Sequence, residues 1–338
     1  MVADATSLSP ARALGSVLVT GAGGFIGSNL VEHLVRGGAR VKAFVRYNSR
    51  NDFGRLELLD PEVRSEVEIY AGDLVNPEAV FGAVAGCDTV MHLGALIPIP
   101  YSYQHPREYV MTNVTGTLNV LEAARRVDVR RLVHVSSSEV YGTAQTVPIS
   151  ESHPLNAQSP YAATKIAADQ LALSYWASFE LPVVVVRPFN TFGPGQSARA
   201  VIPTLITQAL SRDIVEIGSL TPTRDFLYVA DTAAGMARGA TASGVEGQVF
   251  NLGTGTEISI GRLAEQIFEL VGASPPVVEA AERLRPPGSE VERLVADASK
   301  ARELLGWEPA VPFEEGLQRT IEWVKLVLPS FKPELYNT

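Results

Sequence analysis

Three glycines at a spacing of three, Gly21, Gly24 and Gly27, separate a short apolar run, Ser16–Thr20, from an amphipathic stretch that closes at Gly37-Gly38. Few features restrict a fold so sharply. A buried strand that turns at once into a helix has to bend tightly. Side chains at these positions would obstruct the turn, the packing of helix on sheet and the approach of a pyrophosphate to the backbone. The string is the G-x-x-G-x-x-G relative of the G-x-G-x-x-G dinucleotide loop, and its place between a strand and a helix gives it weight. Gly21, Gly24, Phe25, Ile26 and Gly27 are accordingly the candidate pyrophosphate-binding residues.

The strand–helix rhythm continues. Further strands are expected over 41–45, 67–71, 89–93, 131–136 and 183–186, and helices over 26–36, 77–84, 108–126 and 161–179. The last strand is a β-branched run, as a fully buried parallel strand should be. Strands alternating with helices predict an α/β fold, a Rossmann-type doubly wound parallel sheet. After Pro188 the rhythm breaks into loops rich in Pro and Gly, Pro203 among them. Residues 229–239 and 249–252 read as a return to the main sheet. Helices over 260–271, 298–305 and 313–327 predict a smaller C-terminal α/β substrate lobe over the carboxyl ends of the strands. The expected division is a frayed tail over 1–15, a dinucleotide-binding domain over 16–188 plus 228–253, and a nucleotide-sugar-binding domain over 189–227 plus 254–338.

Tyr161 and Lys165 are four apart on a predicted helix, so both side chains share one face. An adjacent ammonium favours the phenolate, which would let the tyrosine take a proton near neutral pH. The preceding strand ends in Ser136-Ser137-Ser138-Glu139, and the Ser137 hydroxyl can hold the substrate oxygen that loses that proton. A base of this kind needs an electron acceptor, which the glycine loop would bind.

Composition narrows the partners. The chain has 338 residues, 46% apolar and 19% charged, with a net charge of −9. That suits a compact enzyme, and without a basic stripe nucleic acid is not an expected partner. A few local arginines can still hold a diphosphate. The one cysteine, Cys87, excludes an internal disulfide and suits a reducing cytoplasm. The first fifteen residues lack the apolar core of a signal peptide, and no apolar run reaches the roughly eighteen residues that span a bilayer. No His/Cys/Asp cluster has metal-ligand spacing, so no metal is expected. His92 and His134 read as packed, hydrogen-bonded core histidines.

The end of the second strand discriminates between nicotinamide cofactors. Arg46 occupies it where an acidic residue would select NAD, so charge favours NADP, with NAD as the alternative; a solvated Arg46 is the bland reading. Asp73, after the third strand, can accept from the adenine amine or cap its own turn.

The ordered set TGAGGFIG, GDL, HLGA, SSSEVYG, YAATK and RPFN resembles the extended short-chain dehydrogenase/reductases that act on nucleotide sugars. Tyr47-Asn48-Ser49, the segments 92–103, 187–194 and 196–203, and Arg283-Leu284-Arg285-Pro286 are similar to the 4,6-dehydratases of the legionaminic acid pathway, which act on UDP- or GDP-linked N-acetylglucosamine. The resemblance implies a tightly held, recycled cofactor, with Leu74, Leu93, Ala95, Asn113 and Pro188 beside the glycine loop. It also implies a homodimer paired through the 108–126 and 161–179 helices. Ser137, Tyr161 and Lys165 match the catalytic Ser/Thr, base and partner, and Glu139 the base at C5. Asn190, Arg199, Arg224, Arg285 and Glu290 match positions around the nucleotide-sugar diphosphate. Ser138 departs: better-known dehydratases carry there the aspartate that protonates the departing C6 hydroxyl, so the general acid is left open. A 4-epimerase, a dehydratase stopping at the 5,6-alkene and a non-catalytic cofactor-binding protein are the alternatives.

Overall fold

A computed structural model describes residues 11–334. Among the described residues, seven parallel strands form the main sheet: β1 Ser16–Thr20, β2 Arg40–Arg46, β3 Val67–Gly72, β4 Thr89–His92, β5 Arg131–Val135, β6 Val183–Pro188 and β7 Val249–Leu252. Their spatial order is β7-β6-β5-β4-β1-β2-β3. Period-two alternation feeds both faces. Val17 and Val19 pack with Leu30 and Leu34 of the helix Phe25–Arg36, while Leu18 and Leu132 face the other way onto Leu121 and Ala124 of the helix Gly116–Val127. Every residue of β6 is buried, and each sealed valine contributes about 1.5–3 kcal/mol relative to exposure. Strand order reverses between β1 and β4, which opens a crevice at their carboxyl ends.

A second apolar cluster gathers Phe192, Ile202, Leu205, Leu263, Ile267, Leu317 and Ile321 from the helices Val201–Ser211, Ile260–Val271 and Phe313–Val327 and the short strand Asn190–Phe192. Val201–Ser211 corrects the expectation of loops there. Pro203 lies in its first turn, where a missing N–H breaks no helical bond. Residues Val229–Thr241 return to the main sheet as a helix, Ala233, Met236 and Ala237 joining the cluster of Val184 and Val186, and Val249–Leu252 returns as a strand paired with β6.

Two further expectations need correction. The tail does not extend to residue 15: Arg12–Leu14 forms a 3-10 turn and Leu14 is buried, whereas residues 1–10 lie outside the described residues. The helix expected over 108–126 is not continuous α-helix. A short helix Pro106–Tyr109 passes into a π-helical turn, Val110–Thr115, before Gly116–Val127. The wider turn inserts a residue and changes which side chains face inward; here it buries Asn113.

Candidate active site

The loops that leave the strands at their carboxyl ends surround a cleft of about 1350 Å³. It is lined by Gly21, Gly24, Phe25, Ile26 and Gly27 after β1, Arg46 at the end of β2, Asp73 and Leu74 after β3, and Leu93 and Ala95 after β4. Ser137, Ser138 and Glu139 after β5, Pro188 and Asn190 around β6, and Tyr161, Lys165 and Arg199 complete it.

The glycine loop is tight for the reasons its spacing suggests. Gly21 adopts φ +69°, and a Cβ there would come within 2.9 Å of the Gly94 backbone. A Cβ on Gly27 would lie 2.2 Å from the Gly21 carbonyl oxygen. Thr20 Oγ1 accepts from the Leu93 and Gly94 amides at 3.1 and 3.0 Å, locking the β1 and β4 loops together. Gly24 gives the helix Phe25–Arg36 no side-chain cap. Its first amides therefore line the cleft as free donors, which fits the pyrophosphate of a dinucleotide. Arg46 is exposed at the rim. Asp73 caps its own turn, Oδ1 accepting from the Val75 amide at 3.1 Å, while also facing the cleft.

The helix Pro160–Phe179 starts at Ser159, whose side chain accepts from the Ala162 amide. Tyr161 and Lys165 project from its first turns and are both buried. Lys165 Nζ donates to the Val135 carbonyl at 2.7 Å. Burial pushes the Tyr161 phenol up to about 12; the Ser137 hydroxyl pulls it down, and Glu139 and Asp169 push it further up. Burial also brings the Lys165 ammonium down to about 8, against the pull of Asp169. The expected acidification of the phenol by its lysine does not show: burial sets the direction, and the ammonium is engaged with a carbonyl.

Ser137 is extended at φ −158° and caps a one-turn 3-10 helix, Ser138–Tyr141, accepting from the Glu139 amide at 3.2 Å. The strand expected to end in Ser136-Ser137-Ser138-Glu139 therefore stops short of that segment. β5 ends at Val135, and the turn after Ser137 brings Glu139 to the cleft instead. Ser138 is buried beside it.

Arg224, Arg285 and Glu290 do not line the main cleft; they cluster behind Glu139. Arg285 Nη1 lies 3.8 Å from both Glu139 Oε2 and Glu290 Oε1, and Arg224 Nη2 donates to Glu290 Oε1 at 3.3 Å. Arg224 is held in a small sheet, between Ile258–Ser259 and Arg293–Leu294. Asn113 also lies outside the cleft lining, a correction to its expected cofactor contact. Its Oδ1 accepts from the Leu96 amide at 2.8 Å, and its Nδ2 donates to the Leu96 carbonyl and to Thr164 Oγ1, both at 3.0 Å. It clamps the loop after β4 to the helix that carries Tyr161.

Gln196 was not singled out from the sequence. Its Nε2 donates to the Thr191 carbonyl at 2.8 Å, which fixes the amide's orientation and leaves Oε1 a buried acceptor with no partner; Asn190 Oδ1 is likewise unpartnered. Both residues line the cleft. His92 is packed as expected, bonded to Thr20 and Thr117; His134 is buried but makes no hydrogen bond from either ring nitrogen. Among the described residues no group of three His, Cys, Asp or Glu could hold a metal ion, and no helix is long and apolar enough to cross a membrane.

Comparison with known proteins agrees with this geometry. The family model described as GDP-mannose 4,6 dehydratase matches residues 18–320. The chain is 36% identical to a UDP-glucose 4-epimerase of Mycolicibacterium smegmatis, across 91% of its own length and 98% of that protein's. It is 34% identical to a dTDP-glucose 4,6-dehydratase of an Actinoplanes species, across 91% and 97%. The solved structure of MoeE5 in complex with UDP-glucuronic acid and NAD is similar with a TM-score of 0.82 at 35% identity, covering 92% of this chain and 99% of that one. A glycine loop, a Ser–Tyr–Lys set and matches that run nearly end to end lead to one assignment: the chain belongs to the GDP-mannose 4,6 dehydratase family, within the NAD-dependent epimerase/dehydratases of the extended short-chain dehydrogenase/reductases.

Proposed function

We propose that the protein is a nucleotide-sugar 4,6-dehydratase of the legionaminic acid type, converting UDP- or GDP-linked N-acetylglucosamine to a 4-keto-6-deoxy sugar. The observation that carries this reading is Glu139: a carboxylate lines the same cleft as Ser137, Tyr161 and Lys165, with its side chain only 13% exposed. A 4-epimerase has no use for a base there.

The bound nicotinamide would accept the C4 hydride and return it to C6. Tyr161, as the phenolate, takes the O4 proton as that hydride leaves, and Ser137 holds the same oxygen. The resulting C4 ketone acidifies the C5 hydrogen; Glu139 removes it and passes that proton to the departing C6 hydroxyl, which leaves as water, and C5 takes up a proton again as the hydride returns to C6, the proton held by Tyr161 restoring the balance. Arg224, hydrogen-bonded to Glu290, and Arg285, paired with it at 3.8 Å, stand behind Glu139 rather than on the cleft wall and are the cations this reading assigns to the diphosphate. Asn190 and Gln196 offer acceptors to the sugar's donors, and Arg199 a cation. NAD is the cofactor this reading takes, supported by the NAD-bound structural relative; the NADP preference drawn from Arg46 rests on charge alone. The protein works as a cytoplasmic homodimer in this reading, with exposed Val110, Leu118, Trp176 and Phe179 as the seam.

A 4-epimerase is the second reading, and Ser138 favours it, because no separate acid stands where the departing hydroxyl would be protonated. Mass spectrometry after incubation with UDP- or GDP-N-acetylglucosamine separates the two. Loss of water supports dehydration; unchanged mass with altered stereochemistry selects epimerisation.

A further inference from the structure

The Asp169 carboxylate is fully buried, and the reaction outlined above gives it no task. It lies four residues after Lys165 on the helix Pro160–Phe179, hence on the same face. Its Oδ2 accepts from Ser136 Oγ at 2.8 Å, from Arg187 Nη2 at 2.9 Å and from Arg187 Nε at 3.0 Å. Its Oδ1 stands 3.3 Å from His134 Nε2 without the alignment of a hydrogen bond. Arg187 continues the chain, donating at 2.9 Å to the Tyr141 hydroxyl, which donates to Asn251 Oδ1 at 2.7 Å. One carboxylate thus ties the ends of β5 and β6 to the helix that carries the base. Ser136 directly precedes Ser137, and Arg187 precedes the Pro188–Asn190 wall of the cleft.

A buried ion pair is a poor stabilising device, since its desolvation offsets much of its attraction. Its position suggests another role. We propose that Asp169 is a positioning residue for the reaction: through Ser136 it sets where Ser137 stands against Tyr161, and as the buried counter-charge one turn along the helix it keeps Lys165 a cation. The proposal rests on Tyr161 and Lys165 acting as base and partner. The other groups that face this pair are His134 on β5, His92 on β4 with its ring 5.5 Å from His134, Arg187 on β6, Glu139 and Tyr141 in the turn after β5, and Tyr109, whose ring meets that of Tyr161 edge-on at 6.3 Å. None of these opposes the fall in Lys165's proton affinity caused by burial; Asp169 does.

The test is Asp169→Asn in the full chain, labelled with ¹³C-lysine, with the Lys165 side-chain signal assigned by its loss in Lys165→Met. The Lys165 midpoint is expected about 1–3 pH units below the wild-type value, the shift typical of removing an adjacent opposite charge. The alkaline limb of turnover should move with it. Asp169→Glu, which keeps the charge on a longer stem, should turn over more slowly while retaining the wild-type midpoint. An unmoved midpoint in Asp169→Asn, or an equal displacement in Asp169→Glu, overturns the proposal. If the uncompensated Arg187 prevents Asp169→Asn from folding, the double variant Asp169→Asn/Arg187→Gln is held to the same outcome. The midpoint is independent of turnover. A chain that epimerises nucleotide sugars without dehydrating them would sink the proposed function and leave Asp169's role standing, whereas a fixed midpoint in an active enzyme would sink this role alone.

Discussion

Glu139→Gln separates the two readings of the site. The substitution keeps the shape and removes the charge, and its effects on stability and on chemistry differ in size. Glu139 Oε2 is 3.8 Å from Arg285 Nη1, worth roughly 4 kcal/mol at an effective dielectric of 20. Glu290 Oε1 stands at the same 3.8 Å from that nitrogen, and the Arg285 side chain is 26% exposed. The net loss of stability is therefore about 1 kcal/mol, a few degrees in Tm. Loss of a general base costs about 10²–10⁴ in rate, equivalent to roughly 3–5 kcal/mol of barrier. Chemistry dominates, so the variant should stay folded at the assay temperature while dehydration falls by at least about a hundredfold. Oxidation at C4 should survive, because Ser137, Tyr161 and Lys165 are untouched. Two measurements check this: water loss by mass spectrometry, and incorporation of solvent deuterium at C5. A folded Glu139→Gln that forms product within a factor of about ten of wild type would refute Glu139 as the C5 base and leave the epimerase reading in possession of the site.

Other outcomes follow from the same geometry. Gly27→Ala should lose NAD on desalting and melt earlier, because its Cβ would lie 2.2 Å from the Gly21 carbonyl oxygen, a backbone atom that cannot swing away. Lys165 binds its proton less tightly folded, at about 8, than at its ordinary 10.5. Between those values the unfolded chain holds more protons, so this group makes stability rise with pH across that window; Tm measured against pH should show that rise in wild type and lack it in Lys165→Met. Tyr161, raised from 10 to about 12, works in the opposite sense above pH 10, where its contribution to stability is lost. Asn113→Ala breaks three buried hydrogen bonds and should lower stability by about 1–3 kcal/mol in denaturant melts. Leu118→Arg with Phe179→Arg should convert a dimer to monomer in light scattering; a wild-type monomer would remove the proposed seam.

Much of the fold was legible because its signals are local. The run Ser16–Thr20, the three glycines and the valines of β6 each constrain only their own neighbourhood, and the structure has strands and a turn at those places. Errors arose where tertiary contacts outweighed local pattern. Pro203 reads as a loop residue but sits in a helix's first turn, where proline costs nothing. The 108–126 helix has the apolar spacing of one continuous element, yet a π-helical turn interrupts it and buries Asn113 against Leu96. No helical periodicity contains that bond, because its partner lies 17 residues away on another loop.

The site divides along the same line. That Tyr161, Lys165 and Ser137 share one cleft is legible because four-residue spacing on a helix and a strand-end serine are patterns with a fixed geometric meaning. The sign of their electrostatics was not legible, because it depends on burial, and burial sends the phenol up and the ammonium down. Asp169 shows why. It follows Lys165 by four residues, the same spacing that drew attention to Tyr161, so its place on the buried face could have been read. Its partners could not: Ser136 and Arg187 lie 33 and 18 residues away and meet it only once β5 and β6 pair beneath the helix. A helical spacing shows which side chains share a face; whether a carboxylate on that face caps the surface or sets the charge of a catalytic lysine is decided by the strands it packs against. The same reasoning applies to Glu139, whose approach to the cleft comes from a 3-10 turn rather than a strand, and whose proposed work as a base depends on how Arg285, 146 positions along the chain, shares itself between two carboxylates.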